Sequence, residues 1–303
     1  MTYSVLLAAS YDLKIHAFDL SQGTSLSEFE IANSQANRIY PYMGHKFYVA
    51  TYNYVFQYDY YSRTKKPNIS IVAHDGNVTD LKFNQTCLIT CGNDKKIMIW
   101  DRSCQLQSKI EVGTTMNSLE LLPSGSHCIV ACENGTIQTF DIRKTENGCI
   151  QKLSISSKPV RSIALSSDSL TLVAATHDGK AISYSVANET LAENYRISTT
   201  KEVQTKCSIS PDSHFFVTGA ADNTAKIWDL KTGELKNSCF GGGNQEWVWD
   251  LKFTADSQKL VTGSSDGTCR IWDVASGNLL MEMPRLEKCI SALTLIDVCN
   301  YNV

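Results

Sequence analysis

The sequence contains no long apolar run. No stretch approaches the ~18 uninterrupted apolar residues that span a bilayer, so we expect no direct insertion into a membrane. Residues 1–10 have no basic segment before the short apolar stretch 5–9. We therefore expect no secretion signal and a cytoplasmic protein.

An excess of charge of either sign is also missing. The 28 Lys and Arg residues are scattered, and 31 Asp and Glu residues give a net charge of −3. Nucleic acids and anionic membranes favour clustered basic side chains. The sequence therefore predicts no nucleic-acid partner.

Signs of disulfides or metal binding are weak although eleven cysteines are present. Their number is odd, and nothing indicates an oxidising compartment. Neither Cys87/Cys91 nor Cys128/Cys132 is followed by a His or a second Cys pair at zinc-finger spacing, and each pair falls within one predicted strand. We predict free, apolar thiols and no metal site.

Catalytic motifs are missing as well. No Gly-rich loop follows a predicted strand as a phosphate cradle would, and no His-Glu-x-x-His motif occurs. The three glycines at 241–243 precede a predicted strand, so we interpret them as a flexible connection. The sequence predicts no cofactor, no catalytic residue and no enzymatic activity.

What the sequence does have is a repeat. At seven places an aromatic residue, followed by Asp or once by Ser, ends a strand-like run, and successive aromatic residues are 40, 42, 40, 44, 44 and 44 positions apart. This period is typical of the four-stranded blades of a WD-repeat β-propeller. The pattern predicts an all-β, seven-bladed ring whose third strands carry Phe18, Tyr58, Trp100, Phe140, Tyr184, Trp228 and Trp272.

The two ends of the chain complement each other. The segment at about 3–31 supplies only three strands, and one further strand, 290–296, follows the completed seventh blade. We predict that 290–296 joins 3–31 to form blade one, which closes the ring and protects the sheet edges. The chain, 1–303, is then a single domain. We expect deletion of the last ~15 residues to unfold it, because a whole closing strand is lost.

Several blades carry the residues of a buried polar network: a His before the first strand, a Ser or Thr in the second, an Asp in the next turn and the third-strand Trp. We expect the blades with Phe or Tyr instead of Trp to rely on apolar packing. Because the sets recur at the repeat period, we interpret them as structural and not as hydrolytic triads. The predicted network residues are His74, Thr90, Asp94 and Trp100 in blade three, Thr218, Asp222 and Trp228 in blade six, and Thr262, Asp266 and Trp272 in blade seven.

One ring of positions is expected at the mouth of the central channel. In each inner strand, the residue directly before the first apolar residue and the residue directly after it should emerge at this rim. Most of these residues are small or polar. The fourteen rim positions are Gln35 and Asn37, Asn77 and Thr79, Thr115 and Asn117, Pro159 and Arg161, Val203 and Thr205, Trp247 and Trp249, and Cys289 and Ser291.

Trp247 and Trp249 are the exception on this rim. They lie two apart on one strand and so point to the same side, and the three other Trp residues are already third-strand anchors. Because Trp is enriched in binding hot spots, we favour an exposed protein-binding site. The alternative is that one or both fill the core. Exchange of both tryptophans for Glu distinguishes the two interpretations. The variant unfolds if the side chains fill the core, and it folds but loses partner binding if they are exposed.

Particular stretches resemble one known family. They are 7–12, 33–38, 210–212, 221–228, 247–250, 255–258 and 261–266. Over essentially its full length the sequence resembles the small, G-protein-β-subunit-like WD-repeat subunits of the TOR kinase complexes. The Ser-Gln-x-Asn piece at 34–37 and the Trp-x-Trp piece at 247–249 are the most discriminating, and both lie on the predicted rim. The Tyr-rich blade two, 48–61, departs from the family pattern.

In that family the rim packs on the C-terminal lobe of the TOR kinase domain, stabilises it and helps to frame access to the active site. The resemblance implies a non-catalytic scaffold subunit, a monomeric propeller within a larger cytoplasmic assembly that internal membranes can recruit. It implies a kinase contact through Gln35, Asn37, Trp247 and Trp249. We add the rim residues Asn117 and Arg161 to the predicted partner-binding set.

Two other functions remain open. Another WD-repeat adaptor, such as a ribosome-associated scaffold or a ubiquitin-ligase substrate receptor, has the same fold, although a ribosomal scaffold should show a basic patch. A propeller enzyme would need carboxylates, His or metal ligands that converge at the channel, where the sequence places amides, hydroxyls and indoles. Identification of the co-purifying chains distinguishes these functions.

Overall fold

Strands account for almost all of the regular structure. The computed structural model describes residues 2–32, 34–84, 86–239 and 246–299, and the glycines at 241–243 lie outside these ranges. A single turn of 3-10 helix, Thr145–Asn147, occurs within them. The second and third strands of blade four, His127–Cys132 and Thr136–Asp141, are buried on both faces. His127–Cys132 accordingly carries the continuous apolar run 128–132.

The strands are short and follow one another with tight turns. Blades one to three are built from β1 (Thr2–Ser10), β2 (Lys14–Asp19), β3 (Ser25–Glu30), β4 (Arg38–Tyr42), β5 (Lys46–Ala50), β6 (Tyr52–Asp59), β7 (Ile69–Phe83), β8 (Cys87–Gly92), β9 (Lys96–Asp101) and β10 (Leu106–Glu111). Blades four and five contain β11 (Met116–Leu121), β12 (His127–Cys132), β13 (Thr136–Asp141), β14 (Cys149–Ser154), β15 (Val160–Leu165), β16 (Thr171–Thr176), β17 (Lys180–Ala187) and β18 (Thr190–Ser198). Blades six and seven contain β19 (Gln204–Ile209), β20 (Phe215–Ala220), β21 (Ala225–Asp229), β22 (Leu235–Cys239), β23 (Val248–Phe253), β24 (Lys259–Ser264), β25 (Cys269–Asp273) and β26 (Leu279–Glu282), and β27 (Ile290–Cys299) follows.

Each blade is an antiparallel meander of four strands. Strand β7 is long enough to be the outer strand of blade two at 69–72 and the inner strand of blade three at 78–83. Hydrogen bonds therefore join blades two and three into one seven-stranded sheet, whereas the five other blades are separate four-stranded sheets.

The last strand completes the first blade. Strand β27 pairs with β1 along its whole length, from Cys299 opposite Thr2 to Ile290 opposite Ser10, and is longer than the predicted 290–296. Neighbouring inner strands contact one another in the circular order β27, β4, β7, β11, β15, β19, β23 and back to β27. The fold is therefore the predicted seven-bladed WD-repeat β-propeller, closed by its C-terminal strand.

Apolar side chains between the blades hold the ring together. Among the described residues each pair of adjacent blades shares one buried hydrophobic cluster, including blades seven and one, which share Val261, Phe18 and Leu293. Between blades one and two the rings of Phe29 and Phe47 meet edge to face at 5.3 Å. Each fully buried side chain of this kind stabilises the fold by about 1.5–3 kcal/mol.

A buried charge cluster lies below the rim. Arg38 of blade two places its Nε 3.0 Å from Oδ1 of Asp80 in blade three and its Nη1 3.7 Å from Oδ1 of Asp250 in blade seven. The backbone N–H groups of Leu119 and Leu293 donate to these two carboxylates. Although burial opposes ionisation, the Arg38 guanidinium holds the pKa of Asp80 well below its usual range. The cluster links five blades across the ring.

Candidate protein-interaction surface

A β-bulge near the start of each inner strand turns one side chain toward the rim. In blade seven, Val248 pairs with Ser264 and Asp250 with Gly263, so Trp249 has no cross-strand partner. An extra residue of this kind bends the strand and redirects its side chain. The bulged residues of the seven inner strands are Asn37, Thr79, Asn117, Arg161, Thr205, Trp249 and Ser291.

Exposure separates the two tryptophans from the other rim residues. The structure describes all fourteen predicted rim positions, and twelve of them are half-buried. Trp247 and Trp249 retain 42% and 38% of their surface. The alternative in which they fill the core does not fit these values, because the core tryptophans Trp228 and Trp272 retain 7% and 0%.

Hydrogen bonds hold the exposed pair in one arrangement. The two indoles lie 5.4 Å apart at 42°. Nε1 of Trp249 donates to Oγ of Ser265 at 2.6 Å, and the Ser265 N–H donates to the Trp247 carbonyl at 2.9 Å. Aromatic side chains that are already ordered lose little conformational entropy when a partner binds. The two indoles are therefore already ordered in the isolated chain.

Tyr11 extends the exposed surface and was missed by the sequence analysis. It lies in the turn between the second and third strands of blade one, is 49% exposed, and its N–H donates to the carbonyl of Cys289. Tyr11, Trp247 and Trp249 line one shallow depression of about 440 Å³. We call these three residues the aromatic patch. The ring order, which makes blades seven and one neighbours, was the signal that could have identified Tyr11.

Gln35 and Asn37 differ in how much of their side chain remains available. Within the part of the chain that the structure describes, the Gln35 amide makes no hydrogen bond. Nδ2 of Asn37 donates to the carbonyl of Val78 at 3.1 Å and lies 3.5 Å from Oδ1 of Asn77. Asn37 therefore binds blade two to blade three and offers a partner only its amide oxygen.

Asn117 and Arg161 are used within the ring. Nδ2 of Asn117 donates to Oε2 of Glu133 at 2.8 Å and to the carbonyl of Val160 in the next blade at 3.0 Å. The Arg161 guanidinium contacts Nδ1 of His177 at 2.9 Å and Oε2 of Glu133 at 3.5 Å. These contacts lie on blades four and five, and they leave few free donors for another protein.

Blade three contains a continuous chain of buried hydrogen bonds. Nε1 of Trp100 donates to Oγ1 of Thr90 at 3.1 Å, Thr90 lies 2.8 Å from Nε2 of His74, and Nδ1 of His74 lies 2.8 Å from Asp94. Because a carboxylate only accepts, Nδ1 carries the proton and Nε2 accepts from Thr90. Burial lowers the pKa of His74, which keeps the ring neutral. Every member is satisfied internally, as a structural network requires.

Blades six and seven replace the missing His by a cation on the third strand. Trp228 donates to Thr218 and Trp272 to Thr262, as in blade three. In both blades the residue two positions before the Trp is a cation that pairs with the Asp of the turn. Lys226 lies 3.0 Å from Asp222, and Arg270 lies 2.8 Å from Asp266. This exchange was not predicted, because the WD-repeat pattern places the partner of the turn Asp only at the His position before the inner strand.

Blades one and two, which were expected to rely on apolar packing, make polar contacts near the third-strand aromatic residue in addition to their apolar cluster. In blade one, Nε2 of His16 lies 2.7 Å from Asp12, again two residues before the third-strand aromatic. In blade two, the Tyr58 hydroxyl donates to the carbonyl of Glu30 at 2.8 Å. A buried hydroxyl or imidazole needs such a partner. In blade five, by contrast, the buried hydroxyl of the third-strand Tyr184 has no hydrogen-bond partner among the described residues.

The described residues also bear on metal binding, membrane spanning and cysteine chemistry. Within the described ranges, no group of three or more His, Cys, Asp or Glu residues is arranged to hold a metal ion. No helix among them is long and apolar enough to cross a membrane. Burial raises the pKa of the Cys128 thiol to about 12 and that of Cys132 to about 11, so both are neutral and apolar in character.

The fold and its surface define a class of protein, a WD-repeat β-propeller that carries an exposed aromatic patch on its rim. The WD domain, G-beta repeat family matches four segments, 65–101, 147–185, 195–229 and 235–273. Each match ends one residue after a third-strand aromatic, in blades three, five, six and seven.

Relatives that match about three quarters or more of the chain include subunits of TOR complexes. The target of rapamycin complex subunit wat1 of Schizosaccharomyces pombe is 28% identical over 239 residues, which cover 76% of each chain. The subunit LST8 of Rattus norvegicus is 26% identical over 263 residues, 81% of this chain and 80% of the relative. LST8 of Saccharomyces cerevisiae is 28% identical over 236 residues, 75% and 77%. The resemblance inferred from the sequence is confirmed: this chain is similar to the small WD-repeat subunits of TOR complexes.

Proposed function

We propose that this chain is a non-catalytic scaffold subunit of a TOR-type protein kinase complex and joins the complex through the aromatic patch. The observation that carries the proposal is that Trp247 and Trp249, alone among the fourteen described rim positions, are exposed. They belong to the discriminating Trp-x-Trp piece of the sequence. The relatives of this chain described above are named as subunits of TOR complexes.

The kinase domain, through its C-terminal lobe, is the partner surface that we propose. Each indole keeps about two-fifths of its surface exposed, and this apolar surface suits an apolar pocket or helix face of a partner. Gln35 would add an orienting hydrogen bond, because its amide is unused within the described chain. Ordered aromatic anchors with one nearby amide resemble a binding hot spot more than a reaction centre.

The same reasoning gives the wider setting. We propose that the propeller enters the assembly as a monomer, since its closing strand β27 pairs with β1 of the same chain. We further propose that it works in the cytoplasm with the other subunits of the complex. A purely stabilising role fits the lack of a metal-ligand cluster among the described residues.

Affinity purification of the tagged chain from its own cells tests this function. We expect a large phosphatidylinositol-kinase-like kinase to co-purify with the wild type. The W247E/W249E variant should lose it, because two hot-spot residues of ≥ 2 kcal/mol each correspond to a roughly 100-fold or greater loss of affinity. Its melting temperature should be unchanged, since both side chains are exposed.

A matched control is available on the same blade. Leu279 and Leu280 retain 38% and 52% of their surface on the outer strand of blade seven, and L279E/L280E introduces the same charges away from the rim. This control should recover the kinase. Absence of such a kinase from repeated wild-type purifications, or its full recovery with W247E/W249E, would overturn the proposal.

A further inference from the structure

Two lysines line the central channel below the rim on adjacent blades. Lys206 occupies the position in blade six that Arg38, Asp80 and Asp250 occupy in blades two, three and seven, one residue after the bulge. Lys252 lies two residues further along the inner strand of blade seven. Both side chains are half-buried, so solvent in the channel still reaches them.

The channel-lining charges on blades two to four are already paired. Arg38 lies 3.0 Å from Asp80, and Nζ of Lys82 lies 2.8 Å from Oε1 of Glu120. Each cation on this side of the channel therefore has its own carboxylate within a hydrogen-bond distance. No further anion is needed there.

Lys206 and Lys252 have no such partner. Neither ammonium group makes a hydrogen bond or an ion pair within the described residues. The nearby carboxylate is Asp250, which lies two residues before Lys252 on the same strand. It accepts hydrogen bonds from the N–H groups of Leu251 and Leu293 at 2.9 and 2.8 Å and faces Arg38. The side of the channel formed by blades six and seven thus carries two cations beside one committed carboxylate.

Charged groups without partners are costly in such surroundings. Burial lowers the pKa of Lys206, and burial together with the nearby Arg38 lowers the pKa of Lys252 to about 7. An anion between the two ammonium groups would remove this cost, and the flexible stems of lysine let both charges point at one ligand. The next channel-facing position of blade six is Ser208, whose hydroxyl is a further potential donor.

We propose that Lys206 and Lys252 form a binding site for a multivalent oxyanion of the phosphate class inside the central channel. The ligand is either a free inorganic anion or the phosphate group of a larger small molecule. Two ammonium groups match a divalent oxyanion, because lysine binds phosphate as a point charge. The site does not involve the aromatic patch, so it can fail without affecting the proposed function.

Thermal unfolding of the purified full chain tests this site. The protein is placed in phosphate-free buffer at pH 6.5, and sulfate, inorganic phosphate or tripolyphosphate is compared with chloride at equal ionic strength. We expect each oxyanion to raise the melting temperature by several degrees, as a ligand that binds only the folded state must. A larger effect of tripolyphosphate identifies a larger phosphorylated ligand, and an equal effect identifies a free anion.

Two variants decide whether the channel is responsible. K206M/K252M should lose the oxyanion effect, while K201M/K288M, which removes two exposed lysines, should keep it. If K206M/K252M does not fold, K252M alone and calorimetric titration of the wild type with phosphate replace it. No stabilisation of the wild type beyond that of chloride, or equal stabilisation of the channel variant, would overturn the proposal.

Discussion

The rim of blades seven and one differs from the rim of blades four and five, although both use the same β-bulge. On the first side the bulge carries Trp249, whose indole remains 38% exposed beside Trp247 and Tyr11. On the second side Asn117 and Arg161 contact the next blade or neighbouring charges. Trp249, in contrast, hydrogen-bonds within its own blade, to Ser265, and its indole remains exposed.

The polar rim residues have a recurring role in the ring. Asn37 donates to the carbonyl of Val78, Asn117 to that of Val160, and Thr205 to that of Val248, in each case across to the next blade. Each hydrogen bond of this kind adds about 0.5–1.5 kcal/mol. The comparison therefore separates residues that hold the ring from residues that are free to bind.

The largest effect is expected below both sides of the rim, at Arg38. R38M leaves the buried carboxylates of Asp80 and Asp250 without their cation, and removal of one partner from a buried ion pair costs about 3–5 kcal/mol. Urea unfolding measures this loss. The exposed Arg143, which pairs with Asp141, is the control, and R143M should cost less than about 1 kcal/mol. Equal costs would show that the channel charges do not hold the ring.

The second effect is a difference in the free energy of unfolding between rim variants of blades four and five and rim variants of blade seven. N117A/R161A should lower the free energy of unfolding by about 1–3 kcal/mol, because inter-blade and charge-assisted hydrogen bonds are lost. W247A/W249A should lower it by less than about 1 kcal/mol, since both indoles are exposed. Urea unfolding of the two variants in parallel checks the order. The reverse order would break the comparison.

The third effect concerns how far the binding side extends. Y11A should weaken partner binding by about 5- to 30-fold, the 1–2 kcal/mol expected for an aromatic residue at the edge of a hot spot. Tyr52 lies at the equivalent turn of blade two and is 55% exposed, so Y52A is a matched control that should bind nearly normally. Equal weakening by both variants would extend the patch into blade two.

The fourth effect is a dependence of stability on pH at Lys252. Its pKa is about 7 in the folded protein, against 10.5 for an ordinary lysine, so the unfolded chain binds more protons between these values. Stability of the wild type therefore rises with pH through that window. The channel groups that face it are Arg38, Lys82, Lys206 and Asp250. In phosphate-free buffer K252M should gain most over the wild type below pH 7, and this gain should shrink toward pH 10; a constant difference would contradict the shift.

Much of the architecture could be predicted from local patterns. Third-strand aromatics such as Phe18 and Trp272 recur at a nearly fixed period, because every blade must fill the same space between its neighbours. Because the N-terminal segment supplies only three strands of blade one, its fourth strand could be predicted at the other end of the chain. The rim positions also followed, since the inner-strand pattern repeats seven times.

What could not be predicted depends on closure of the ring. Arg38 and Asp250 are far apart in sequence, and their approach follows only once blades seven and two lie on either side of blade one. Tyr11 joins Trp247 for the same reason. The cations Lys226 and Arg270 were overlooked because a carboxylate in a turn can be satisfied from the third strand as well as from the loop before the inner strand.

The most direct test of the account compares the two sides of the rim in one binding assay. The affinity of the wild type, W247A/W249A and N117A/R161A for the same purified kinase complex is measured at one ionic strength. We expect a roughly 100-fold or greater loss for the tryptophan variant and a change of less than about 5-fold for the polar variant. Equal losses, or a larger loss for N117A/R161A, would contradict the assignment of binding to the aromatic patch.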